Sequence, residues 1–420
     1  MTYITIIQES EQKMQQETKK YLAALSGVPF IMVLGNSLII PAFPEIQNQL
    51  NLTQLEVGLL VTTFSIAAGI TIPIVGFISD KYGRKVVLVP SVFLYAIGGL
   101  ISGFAPIFFN SAYPWIIFGR VVKGIGAGGT GPIAMALAGD LFQSGERSEA
   151  MGVLEAANGI GKVVSPILGA IIVVWIWYSV FFVYTIFSLP VAIMLWVVLK
   201  EPEQKAGGSS QEEKGYFTRI FDVFKDKKMV LIATYLAGFT VLFSLFGTLS
   251  YLSDILEIRY NLEGAPKGIV IALPVIVMAV TSYTTGHFIQ SKLLMSKLVV
   301  TGLTIIGLSF GGIILLLDND YALFAGIILI GVGTGLVLTS VNTLVTSTAS
   351  GRARGGVTSL YGSVRFFGVA FGPPAFGLLV EISRIAMFGT AGIIAILVMG
   401  VNLIMIKFGI GRELNLSNSN

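Results

Sequence analysis

The chain has 420 residues and a net charge of +4; 54% of it is hydrophobic and only 12% is charged. Soluble domains carry about 25% charged residues, so a water-soluble globule is excluded and a lipid bilayer is the expected solvent. Cys is absent, which excludes disulfides and thiolate metal sites, and the single His argues against a His-based metal site or a Ser-His-Asp triad; no metal and no cofactor are expected. The basic residues sit in short segments between apolar runs, so the charge is no nucleic-acid footprint.

Twelve apolar runs follow one another, at 21–45, 57–78, 86–107, 114–141, 150–175, 178–199, 229–255, 267–290, 297–317, 322–346, 356–381 and 386–409. Each suffices for a membrane-crossing helix of about 20 residues. The predicted fold is all-α, with twelve transmembrane helices in two six-helix halves, 21–199 and 229–409. Flanking segments 1–20 and 410–420 and a polar linker, 200–228, complete the domain plan. Of 27 Lys and Arg residues, Arg120, Lys123, Lys162 and Arg365 lie inside helices. Arg259, Lys267 and Arg384 fall on the outer side, and the remaining 20 fall inside if both termini are cytoplasmic. At an offset of 207 residues, the Gly124/Gly126/Gly128 pattern meets Gly331/Gly333/Gly335. The same offset pairs Arg147 with Arg354, Gly161 with Gly368 and Pro166 with Pro373, which marks an internal repeat.

The first helix carries Asn36 and then Pro41-x-x-Pro44, prolines that either end the helix or mark an outer-end motif. The second and third runs are joined by Gly76-Phe-Ile-Ser-Asp80-Lys81-Tyr-Gly83-Arg84-Lys85. This stretch resembles the loop between helices 2 and 3 of the major facilitator superfamily, Gly-x-x-x-Asp-(Arg/Lys)-x-Gly-Arg-(Arg/Lys). The resemblance implies parallel six-helix repeats with a substrate site near the midplane between them. It also implies a monomer in the plasma membrane whose partners are a small-molecule substrate, protons and lipid.

In the fourth helix, Arg120 resembles the family arginine linked to proton coupling, with the alternative of a buried pair that only locks helices. Lys123 lies one turn further in. Asp140 closes that helix, and the resemblance implies a conformational charge cluster of Asp80, Arg84 and Asp140. The fifth helix reads Leu154-Glu155-Ala-Ala-Asn158-Gly-Ile-Gly161-Lys162-Val-Val-Ser165-Pro166-Ile-Leu-Gly169. Its Gly161, Ser165, Pro166 and Gly169 resemble the antiporter motif of drug exporters, with Ser in place of a Gly. Pro166 is expected to kink the helix. Glu155, Asn158, Lys162, Ser165 and Gly169 step by three or four residues and share one face. As the deepest carboxylate of the first half, Glu155 is the expected proton carrier, modulated by Arg120, Lys123 or Lys162, with a structural ion pair between Glu155 and a lysine as the alternative. Asn36, Lys123, Asn158, Lys162 and Arg365 are the expected lining of the substrate cavity.

Residues after Gly215 alternate Phe217, Ile220, Phe221 and Phe224 with charged positions, the pattern of a short amphipathic helix on the membrane surface. His287 reads as an interface residue. Asp254 and Glu257 read as solvated helix-end charges. No Gly-x-x-x-x-Gly-Lys-Ser/Thr motif offers ATP as a driver. The expectation is therefore a non-enzymatic, proton-coupled exporter of amphipathic drugs working by alternating access. The alternatives are a dedicated exporter of one metabolite, anionic or lipid-like, and a non-transporting membrane receptor.

Overall fold

The computed structural model describes residues 2–142, 144–199, 201, 210–288, 292–348 and 351–406. Side chains are described for these residues apart from 2–18, 144–149, 210–220, 287–288, 292 and 351–353. The 206–209 tract, Gln290 and the 410–420 tail lie outside the described residues, as do the side chains of Arg147, Phe217, Ile220 and His287. Among the described residues the secondary structure is helical throughout, without a strand.

Among the described residues, twelve helices are long and apolar enough to cross a membrane: α1 (Lys19–Leu50), α2 (Gln54–Tyr82), α3 (Arg84–Phe108), α4 (Ala112–Leu141), α5 (Ala150–Val173), α6 (Ser179–Val198), α7 (Phe221–Ile258), α8 (Gly264–Gly286), α9 (Leu293–Leu315), α10 (Asp320–Thr348), α11 (Arg354–Ile382) and α12 (Arg384–Met405). The helix of α1 begins earlier, at Thr2, so the polar N-terminal stretch continues it rather than standing apart. It stops at Ser37, makes a short 3-10 turn at Ile40–Ala42, and resumes over Phe43–Leu50. Pro41 and Pro44 stand in the first turns of the two new pieces, where a missing N–H costs nothing. A second break divides α4 between Gly128 and Gly131. Pro166 leaves α5 helical throughout. The helix that enters α7 breaks at Lys227, with φ −119° and ψ 26°, which separates the linker helix from the spanning one.

The start of α2 is fixed locally. The Thr53 side chain accepts from the Glu56 backbone N–H, and the Glu56 carboxylate accepts from the Thr53 N–H at 2.8 Å. This capping box satisfies donors that a helix start otherwise leaves open.

The two sets of six helices repeat their packing. The pairs α3/α4, α2/α4, α3/α6 and α1/α5 recur as α9/α10, α8/α10, α9/α12 and α7/α11. The sets meet along two seams, α2 against α11 and α5 against α8. We distinguish the two ends of the bundle by residues found there, the Gly83 end and the Pro41 end.

The seams differ. Along α2/α11, Thr62 Oγ1 donates to the Ala370 carbonyl at 2.6 Å, Gly69 faces Phe367, and Gly76 still faces Ser359 near the Gly83 end. Along α5/α8, Gly268 lies directly against Pro166, Ile167 and Ala170 at the Pro41 end. Towards the Gly83 end of α5, Gly152 and Gly159 have no neighbouring atoms beside them and Glu155 is exposed. The bundle is thus sealed at the Pro41 end and parted between α5 and α8 at the Gly83 end.

Candidate functional site

At the Gly83 end, α2 and α3 are separated by one residue. Gly83 holds φ +113° and ψ 143°, a backbone region open to glycine and strained for other residues. The turn brings Asp80 within 3.2 Å of the Arg84 guanidinium, and Arg84 Nε also meets Asp140 at the end of α4. The three expected residues therefore form one ion-paired group. Sequence reasoning missed its fourth member, Glu201. That carboxylate accepts from the backbone N–H groups of Arg84 and Lys85, both at 2.8 Å, and of Val86 at 3.3 Å. A carboxylate at a helix N-terminus meets both the free N–H groups and the positive end of the helix dipole. Lys85 Nζ donates to the Leu199 carbonyl beside it.

In the first six helices lies a chamber of charge with no carboxylate in it. Arg120 and Lys123 are both 0% exposed. Arg120 Nε donates to the Leu60 carbonyl at 2.7 Å and Nη1 to the Gly35 carbonyl at 3.0 Å. These are carbonyls of α2 and α1, freed for a third helix by the close approach at Gly35, which faces Phe64 and the Tyr95 hydroxyl. Arg120 Nη2 has no hydrogen-bond partner. Lys123 Nζ has one acceptor, the Gly35 carbonyl, at 3.4 Å. The rest of its surroundings is aromatic. Its ammonium lies 5.1 Å from the Phe64 ring centre and 4.7 Å from that of Tyr95, and against the face of Tyr184. Arg120 shares Phe64 at 4.8 Å and Tyr184 at 5.9 Å. Ring faces attract cations, most strongly out of water, so they stand in for missing counter-ions.

This placement corrects two cavity assignments. Lys123 is walled in by the rings, and Asn36, 8% exposed, accepts from Ser65 Oγ at 3.3 Å between α1 and α2. Neither lines open space, because α1, α2 and α4 close on each other at this level.

Of the antiporter-like residues, the two glycines face α1, while Pro166 borders Gly268 of α8. Gly161 lies against Phe30, Gly169 against the Leu38 carbonyl, and Ser165 and Pro166 are buried. The glycines form the notch through which α5 receives α1. Glu155 is the correction on α5: expected as a buried carboxylate, it is exposed, because that length of the helix borders the parted seam. Asn158 and Lys162 follow it, each partly buried. The charges of Glu155 and of Arg365 on α11 both bear on Lys162. Arg365 is partly buried, its guanidinium 5.6 Å from the Tyr361 ring centre and its Nε without a hydrogen-bond partner. Lys162 on α5 and Arg365 on α11 thus lie within electrostatic reach of each other and of Glu155, two cations for one anion, and Asn158 is one turn from Lys162 on α5.

The Pro41 end holds a group read from sequence as solvated charges. Lys267 is only 2% exposed; it is bonded to Glu257 at 2.7 Å and donates to the Pro41 carbonyl at 2.8 Å. Ser253 Oγ donates to the Ile40 carbonyl at 2.8 Å. Asp254 has a buried Oδ1 without a hydrogen-bond partner. The broken turn at Pro41 thus offers two carbonyls of α1 to α7 and α8. The sequence signal was the apolar run that begins directly at Lys267, which puts this lysine in the first turn of α8 rather than in a loop.

Among the described residues no group of His, Asp and Glu is arranged to hold a metal ion.

Comparison with known proteins places this geometry in a family. A bacterial homologue of the human lysosomal transporter Spinster, solved in an inward-facing, unoccupied conformation, matches with a TM-score of 0.72 over 93% of this chain and 97% of its own, at 18% identity. In Bacillus subtilis (strain 168), the protein named Bacillibactin exporter is 34% identical over 366 residues, 86% of this chain and 90% of its own length. Multidrug resistance protein 1 of the same organism is 31% identical over 52% of this chain and 56% of its own length. Multidrug resistance protein 2 is 24% identical over 91% and 94%. The family model described as Major Facilitator Superfamily matches residues 25–373 and 267–413. With twelve spanning helices and a motif-bearing turn at Gly83, this chain belongs to the Major Facilitator Superfamily and is a membrane transporter, not an enzyme.

Proposed function

We propose that this transporter exports a small organic anion from the cell, driven by inward proton movement. The halves 21–199 and 229–409 rock about the continuous α2/α11 seam. Both termini and the Gly83 end face the cytoplasm in this reading, and the cleft between α5 and α8 is the cytoplasmic entrance. The observation that carries the substrate class is that Lys162 on α5 and Arg365 on α11, one from each half, are both partly buried and within electrostatic reach of each other, with Arg365 Nε unpartnered and Glu155 as the carboxylate that acts on Lys162. Two cations in a low-dielectric cleft repel, and an anionic ligand relieves that cost. The similarity to a protein named for export of one compound supports a dedicated rather than a broad transporter. The relatives named multidrug resistance proteins favour a second reading, efflux of several amphipathic compounds.

The test uses inverted membrane vesicles holding a pH gradient, with bacillibactin and a panel of amphipathic dyes added in turn. Gradient-dependent uptake of bacillibactin, lost in Lys162→Gln and Arg365→Gln, is the expected result. Uptake of many unrelated dyes that survives both substitutions selects the second reading. A wild type that moves neither class with the gradient rejects proton-driven export of these compounds.

A further inference from the structure

We propose that Lys123 is the group that takes up and releases the coupled proton, the aromatic cage around it acting as the gate. The proposal rests on the proton-driven reading above.

Export against a gradient needs a group inside the bundle whose proton is exchanged with water on one side and then on the other. Carboxylates are the usual candidates, and the first six helices offer few. Asp80 and Asp140 are committed to Arg84 at the Gly83 end. Glu56 is committed to the capping box. Asn36 is neutral, and Glu155 is exposed at the parted seam, where it exchanges with solvent without any gate.

Lys123 has the opposite setting. It is completely enclosed, and its ammonium carries three N–H donors for one acceptor at 3.4 Å. The groups that face it can be stated element by element. From α1 comes the Gly35 carbonyl, from α2 the Phe64 ring, from α3 Tyr95, from its own helix Arg120, and from α6 Tyr184. The titratable neighbours are therefore two tyrosines and a guanidinium, with no carboxylate. Arg120 keeps its charge and its two carbonyls. Lys123 is the one that can change state, because an amine surrenders a proton far more readily than a guanidinium.

The gate is Phe64. The same ring that covers Lys123 and Arg120 lies 6.5 Å from Phe366, the neighbour of Arg365 on the opposite half. Tyr95, in contrast, is pinned, its hydroxyl donating to the Ile31 carbonyl at 2.7 Å. Phe64 is thus the wall of the cage that relative motion of the halves can draw aside. When it withdraws, water reaches Lys123 Nζ, an N–H bond forms or breaks, and the proton passes to or from that water. Charge on Lys123 and the packing of Phe64 on Phe366 then report on each other, which is the linkage that antiport requires.

The chain lacks Cys, so a labelled pair can be placed without removing native thiols. Val153→Cys on α5 and Tyr283→Cys on α8, both exposed, report the Gly83-end opening as a spin-label distance in lipid nanodiscs between pH 5.5 and 9. The wild type is expected to redistribute between a short and a long distance with pH. Lys123→Gln should hold one distribution and Lys123→Arg the other at every pH. Phe64→Leu, which keeps Lys123 and guards against a misfolded Lys123→Gln, should move the midpoint by roughly one pH unit. A wild type without pH response, or a Lys123→Gln that titrates normally, overturns the proposal. The vesicle experiment above fails independently: loss of gradient-driven uptake in the wild type removes proton-driven export itself.

Discussion

Arg120 joins three helices with one side chain, donating to α1 at Gly35 and to α2 at Leu60 from its place on α4. A buried cation is costly unless its donors are met. Here two carbonyls and two ring faces meet most of them. Arg120→Lys keeps the charge but has no planar fork to reach both carbonyls. We expect it to lower stability by about 2 kcal/mol, read as a fall in melting temperature in detergent. Glu201 answers to the same logic at the other end of the size scale, one carboxylate for three N–H groups. Glu201→Ala should cost roughly 1–2 kcal/mol, whereas Glu201→Gln, which keeps an acceptor, should cost less. Equal losses in the two variants would mean that packing, not capping, holds the start of α3.

At the scale of elements, the notch between α5 and α1 is set by what a side chain would strike. A Cβ at Gly169 would run into the Leu38 carbonyl, which is backbone and cannot turn away. Gly169→Ala should therefore separate the helices or misfold them, at about 1–3 kcal/mol, while Gly152→Ala, with nothing beside it, should be silent or mildly stabilising through better helix propensity. Thermal unfolding of the two variants side by side separates close approach from a general intolerance of alanine in α5. The elements were also the most legible level in the sequence. Twelve apolar runs became twelve spans because the requirement for about 20 apolar residues acts on each helix alone. The turn at Gly83 was legible for the same reason, its motif being contiguous. The cage was not legible. Phe64, Tyr95 and Tyr184 sit on three different helices, and the acceptors at Gly35 and Leu60 are backbone atoms that every residue carries. Glu155 was misjudged because its exposure depends on which seam is parted, a property of the conformation and not of the α5 sequence.

For the whole molecule, the sealed Pro41 end is held by few polar bonds, and Lys267 makes two of them. Lys267→Met leaves the Pro41 carbonyl and Glu257 without that partner, a loss of about 2–3 kcal/mol. If the opposite state opens this end, the equilibrium should shift toward it by roughly 30- to 150-fold. Spin labels on α1 and α7 at this end would record it as growth of a longer distance, and an unchanged distribution would remove Lys267 as a lock. The Glu201 contact carries a different consequence, one for biosynthesis. The backbone donors at Arg84 are met by a residue 117 positions later in the chain. A ribosome therefore inserts the third helix with an uncapped start, and completes it only after the sixth has emerged. The first half of this transporter is stitched closed by a residue just beyond it, at the very start of the linker.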